Sequence, residues 1–286
     1  MRIKIRAAVI PLLVLTLMSV GACRTKTDRD DLAQALTSEN IRDVDRAIRT
    51  YTKNIAAAPE DAVAYNNRGG AYLRKNMLPE AVADFSKAIN LNEEFAEAYH
   101  NRALAYKQLG QFDRAVYDFT QVAKINPDDC TAPFNIGEIL NLTGLFEDAI
   151  LEYDKAIVID PTFSPAYSHR GRAYSRLEKN GEAIADYTRA LELDPTMAMT
   201  LNNRANSYVM TGKYTEAIKD FKKAIEIDPR LALAYSGLGF VYERLAMYEE
   251  ALKNFNTFVE VASGDYEEFV EQARAKIKDL EAALKK

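Results

Sequence analysis

The chain has 286 residues, with 37 Lys and Arg against 42 Asp and Glu and a formal net charge of −5. Hydrophobic residues make up 48% of it, enough to bury a large core, so disorder is excluded as the main state. The mild acidity argues against a duplex nucleic-acid binder. Two cysteines exclude a disulfide-rich scaffold, and two histidines leave little room for a His-ligated metal site.

Arg2, Lys4 and Arg6 make a basic start, followed by an apolar stretch over residues 7–20. A bilayer span needs about 20 apolar residues, so this shorter run predicts a secretory signal. Ser19, Val20, Gly21 and Ala22 precede Cys23, and the chain turns polar at once after it. Small residues ending at a Cys resemble the lipobox of bacterial lipoproteins. The resemblance implies cleavage before Cys23, acylation of its sulfur and its new amino group, and attachment to a membrane by several acyl chains. A plain secretory signal with an incidental Cys, or an uncleaved N-terminal anchor, is the alternative. Removal of residues 1–22 takes away Arg2, Lys4 and Arg6 and no acid, leaving 34 basic against 42 acidic groups, net −8. Arg24 follows the Cys where relatives retained at the inner membrane carry Asp, which favours the outer membrane, facing the periplasm. Residues 23–30 are a short tether.

From there a 34-residue period organises the chain. Ala47, Ala81, Ala115, Ala149, Ala183, Ala217 and Ala251 are in phase, and each is followed four residues later by Tyr51, Phe85, Phe119, Tyr153, Tyr187, Phe221 or Phe255. Pro59, Pro127, Pro161, Pro195 and Pro229 keep the same register. These residues identify the chain as resembling the tetratricopeptide-repeat family. With the small helix-contact residue as position 8, six full repeats occupy residues 62–263 and start at Ala62, Ala96, Cys130, Ser164, Ala198 and Ala232. Residues 31–61 are expected to form a degenerate N-terminal repeat. Tyr266, Phe269, Val270, Ala273, Ile277, Leu280 and Leu284 recur at helical spacing and predict a capping helix over 265–286, opened by Asp265 and Glu268 and ended by Lys285 and Lys286. The implied fold is all-α: a solenoid of antiparallel helix pairs, coiled into a right-handed superhelix and closed by that helix. Small residues at positions 8 and 20 let paired helices approach, and the position-24 aromatic is expected to fill the gap to the next repeat.

In this family the first helix of each repeat lines a concave groove. Position 6 reads Asn67, Asn101, Asn135, His169 and Asn203, then Gly237. An amide both donates and accepts, so such a ladder can hold a peptide backbone whatever its side chains. Some superhelical members of the family use Asn in this way. Equally, Asn is an ordinary polar choice on a solvated groove, and both readings stay open. Arg74, Lys107, Arg172, Arg176 and Arg244 face Glu97, Glu138 and Glu243 there, a slight bias towards acidic or carboxylate-bearing partners. The Lys pair of chaperone-binding relatives is missing from positions 2 and 5. His100 and His169 also fall in the groove, two repeats apart.

Position 7 reads Arg68, Arg102, Ile136, Arg170, Arg204 and Leu238, and position 23 reads Asp84, Asp118, Glu152, Asp186, Asp220 and Asn254. The four repeats with Arg are the four with Asp, which predicts structural pairs Arg68–Asp84, Arg102–Asp118, Arg170–Asp186 and Arg204–Asp220. No phosphate loop, zinc-protease motif, CxxC or GxSxG occurs, so no catalytic residue, metal ligand or cofactor is expected. Cys130 is expected to be a buried, inert thiol. The sequence therefore predicts a membrane-anchored, non-catalytic adaptor that binds protein or peptide partners. A self-assembling structural protein is the alternative, and the oligomeric state is open.

Overall fold

A computed structural model describes residues 41–262 and 266–284. The signal segment, Cys23, the tether, the first part of the degenerate repeat, Asp265, Lys285 and Lys286 lie outside the described residues. Every regular element described is a helix, and no strand occurs among the described residues. None of these helices is long and apolar enough to cross a membrane.

The chain divides into two compact units, with the boundary after Ala166. In the first, α1 (Ile41–Ala57) is followed by the pairs α2 (Ala62–Arg74) with α3 (Leu78–Leu91), α4 (Ala96–Gln108) with α5 (Phe112–Ile125), and α6 (Thr131–Leu142) with α7 (Phe146–Ile159). Helix α8 (Ser164–Arg176) begins just before the boundary. The second unit continues with α9 (Asn180–Leu193), α10 (Ala198–Met210), α11 (Tyr214–Ile227), α12 (Ala232–Arg244), α13 (Tyr248–Val261) and α14 (Glu267–Leu284). In the first unit each helix from α1 to α7 packs on the next in chain order, and in the second each helix from α9 to α14 does.

Two local devices repeat. The turn inside each pair has one residue of positive φ, and these residues also stand 34 apart: Asn76, Gly110, Gly144, Glu178, Gly212 and Ala246. At Gly110 the amide donates to Lys107 O and the Gln111 amide reaches back to Tyr106 O, so the turn satisfies carbonyls that end α4. Between pairs, an Asn or Asp leaves the helix in extended backbone and folds the linker with its side chain. Asp160 Oδ1 accepts from both the amide and the hydroxyl of Thr162, and Asp194 does the same with Thr196. The proline next to each Asp favours that extended backbone.

The position-24 ring sits on the position-8 glycine of its own repeat. A Cβ at Gly69 would stand 2.7 Å from Phe85, and one at Gly137 2.7 Å from Tyr153. Close contact inside a pair therefore demands the glycine, and the rings also pack towards the next repeat as expected: Phe85 clusters with Ala105, and Phe119 with Ile136 and Ile139. Phe221 presses on Gly237 of the following repeat. Gly237 therefore interrupts the Asn row where the ring takes the room.

Core residues in the first unit form small clusters around Phe85, Ile89 and Phe119; in the second, one cluster runs from Leu191 to Leu280. Helix α14 contributes Ala273 and Leu280, with Val270 and Ile277 beside them. Phe269 and Leu284, expected on the same seam, are exposed on its flank, with Phe269 packed edge-on to Tyr266.

Candidate functional site

The position-7 arginines are bound into the framework. Arg68 donates through Nε and Nη2 to the two oxygens of Asp84, at 2.7 and 2.8 Å. Arg102 grips Asp118 at 2.8 and 2.8 Å, Arg170 grips Asp186 at 2.7 and 2.6 Å, and Arg204 grips Asp220 at 2.6 and 2.9 Å. Each fork ties the two helices of one pair. Asp118 is only 1% exposed and the other three aspartates are buried. A third bond runs to the preceding repeat: Arg68 Nη1 donates to Thr52, Arg102 Nη1 to Ser86 and Arg204 Nη1 to Thr188. Tyrosines three before and four after cover the guanidinium faces of Arg68 and Arg102. Tyr65 and Tyr72 lie 5.7 and 5.9 Å from Arg68, and Tyr99 and Tyr106 lie 5.6 and 5.8 Å from Arg102. Hydrogen bonding to Asp84 holds the Arg68 guanidinium above the ordinary arginine range. Burial opposes the charge on Arg102 and Arg204, and the bonds and charge of Asp118 and Asp220 outweigh it.

The hydroxyls at position 25 had a signal in the sequence that pair-matching within repeats passes over. Thr52, Ser86 and Thr188 each stand 16 residues before an Arg, so the relevant alignment joins one repeat to the next. Where position 7 is Ile136, Glu152 at position 23 turns to Lys155 at 2.6 Å; where it is Leu238, Asn254 bonds its own helix at Glu250 O.

The position-6 row is less open than the sequence implies. In the first unit, Asn101 donates to Asn66 Oδ1 at 3.1 Å, and Asn66 Nδ2 donates to Glu97 at 3.1 Å. Asn66 is 2% exposed, so Asn101 and Glu97 satisfy a buried amide in the preceding repeat. Asn135 donates to Thr131 O at 2.8 Å, and Asn67 is half-buried. In the second unit Asn203 Oδ1 accepts from Asn202 at 3.4 Å, and His169 is half-buried. Among the groove cations, Lys107 is tied to Glu138 of the next repeat at 2.9 Å, with both side chains 15% exposed. Arg74, Arg172 and Arg176 are exposed near the ends of their helices. His100 packs edge-on against Phe119 at 5.3 Å, and no cluster of metal-ligating side chains occurs among the described residues.

Cys130 is buried at the start of α6, as expected. It is disulfide-bonded, which corrects the expectation of an inert thiol. At Leu140, where the other five repeats carry Tyr at position 11, a cleft of about 670 Å³ is lined by Phe112, Val116, Ile139, Leu140 and Leu145.

Paired antiparallel helices in 34-residue repeats, each closed by an aromatic on a small residue, define a helical-repeat binding protein. The TPR repeat pattern matches residues 69–110 and 205–245, and the tetratricopeptide repeat pattern matches 96–129, 164–197 and 186–219. The chain belongs to the tetratricopeptide-repeat family. Among curated proteins no sequence matches it. Among solved structures, the MamA protein is 28% identical with a TM-score of 0.54, over 59% of this chain and 92% of that one. PilF of Pseudomonas aeruginosa is 16% identical with a TM-score of 0.63, over 74% and 97%. YrrB, described as a TPR protein with an unusual peptide-binding site, is 23% identical with a TM-score of 0.53, over 64% and 95%.

Proposed function

We propose that this protein is a non-catalytic adaptor that binds a protein or peptide partner on the first-helix faces of its repeats, and that lipid on Cys23 anchors it to a bacterial envelope membrane. The observation that carries the binding reading is the contrast between adjacent positions. The position-7 arginines are consumed in holding helices together, whereas Asn67, Asn135 and Asn203 at position 6 sit half-buried at the helix surface. An amide at a surface can bond to water in the free protein and to a partner's backbone when bound. The peptide-binding site named for YrrB points the same way. The anchor rests on the basic, apolar and small-residue succession ending at Cys23, and the outer-membrane assignment on Arg24.

A pull-down from crosslinked envelopes with the full chain identifies the partner. The triple change Asn67→Ala, Asn135→Ala, Asn203→Ala removes about three hydrogen bonds from binding, roughly 2–4 kcal/mol or 30- to 1,000-fold in affinity. The melting temperature stays near that of wild type. Unchanged affinity for that partner would sink the amide-ladder reading. Asn101→Ala behaves differently: it strips a bond from buried Asn66 and costs about 1–3 kcal/mol of stability.

A further inference from the structure

We infer that the outer face of α5, in the first unit, is a two-fold interface at which a second copy of this chain seats Tyr117 in the cleft beside Leu140. The surface uses a second helix and a turn, not the faces of the first helices, and it does not depend on the groove reading.

The repeats supply their own control. Position 22, on the second helix, reads Ala83, Tyr117, Leu151, Ala185, Lys219 and Lys253. Position 29 reads Asn90, Lys124, Val158, Glu192, Glu226 and Glu260. Large apolar side chains stand at these places only in the second and third repeats. They are bare: Tyr117 is 59%, Leu151 59% and Val158 80% exposed. Leu142 and Leu145, in the turn of the third repeat, are exposed as well. Exposed apolar surface gathered in one place marks an interaction site, whereas the same residues scattered singly would not.

Plug and socket stand on one helix. The cleft opens where Leu140 replaces the Tyr of the other five repeats, so it has room for an aromatic side chain, and Phe112 and Val116 of α5 form one of its walls. Tyr117 follows Val116 directly and stands on the exposed face of α5. In a two-fold dimer each surface meets itself, so a patch that carries both parts is filled by one further copy and closes. With the axis level with Ala115, two α5 helices run antiparallel, and Tyr117 of one copy stands opposite Asp113 of the other, at the lip of that copy's cleft. The charges there complement themselves. Asp113 is exposed and makes no hydrogen bond or ion pair among the described residues. Arg114 is exposed, donates to Gln111 at 3.0 Å and lies 5.5 Å over the Tyr106 ring. The antiparallel pairing brings Arg114 within about one helical turn of Asp113 of the second copy, so two equivalent ion pairs flank the two seated rings.

Sedimentation velocity of the full chain in mild detergent, from about 1 to about 200 μM, should show a monomer–dimer equilibrium with a micromolar constant. Tyr117→Ala and Leu140→Tyr should each weaken the dimer about tenfold or more. Leu140→Tyr fills the socket with the residue that the other repeats carry, so its melting temperature stays level or rises and the loss is not one of folding. Asp113→Arg and Arg114→Asp each leave like charges across the axis and should weaken the dimer similarly. An equimolar mixture of those two variants should dimerise again, because one copy then offers two cations where the other offers two acids. Wild type that stays monomeric throughout, Leu140→Tyr that dimerises as wild type does, or a mixture no better than its components overturns the inference. The groove reading fails on a separate result, the unchanged partner affinity of the triple Asn variant.

Discussion

Gly69 and Gly70 are adjacent in α2 and have opposite requirements. A Cβ on Gly69 would press into the Phe85 ring, which is fully buried and cannot move aside, whereas one on Gly70 meets nothing within 4 Å. Gly69→Ala should therefore cost about 1–3 kcal/mol through overpacking, and Gly70→Ala should gain about 0.5–1 kcal/mol, because glycine gives up more chain freedom in a helix. Denaturant midpoints of the two variants give the signs. The ring at position 24 also carries a pH signature. Burial pushes the Tyr187 hydroxyl well above the usual tyrosine range, with a smaller lowering by Arg172 and a smaller raising by Asp186. Below about pH 10 the side chain is neutral folded and unfolded, and its contribution is whole. Above that, the unfolded chain ionises while the folded one resists, so stability falls as pH rises. Unfolding curves between pH 9 and 12 should show a shallower decline for Tyr187→Phe than for wild type.

Helix pairs are fastened by the arginine knots, and two repeats do without them. Arg102→Ile alone leaves Asp118 charged and buried, a loss of about 3–5 kcal/mol. Adding Asp118→Leu removes the stranded charge and should recover most of that loss. Thermal unfolding of the single and double variants tests this; equal destabilisation of both would mean the knot acts through something other than the pair. The chain offers its own precedent, since Ile136 in the third repeat packs in the core without a buried aspartate at position 23. The rule linking Arg to Asp was legible in the sequence because the repeats align with one another. The hydroxyls of Thr52, Ser86 and Thr188 were written in the same rows, but the bond crosses from one repeat to the next. The bridges Asn66–Asn101 and Lys107–Glu138 had no such rule, since each occurs at one junction only.

For the whole molecule, the two cysteines set an either-or. A Cys23 sulfur alkylated by a diacylglyceryl group is a thioether, with both valences spent on carbon and none left for a disulfide, and Cys130 is the chain's only other cysteine. The anchored form should enter the detergent phase and, once denatured without reductant, offer one alkylatable thiol at Cys130. Cys23→Ala should move the protein to the aqueous phase. Wild type that stays aqueous and offers no thiol would sink the anchor. By itself the sequence determined the helical class, the 34-residue phase, the helix pairs and the arginine–aspartate forks, because these follow from local periodicity multiplied by repetition. Only the tertiary structure decided which polar side chains stay at the surface and which are already taken. Asn67 and Asn101 occupy the same place in their repeats, yet Asn101 reaches a buried amide and Asn67 keeps its place at the surface. That difference depends on which side chain stands one repeat away and within about 3 Å, a distance no period records.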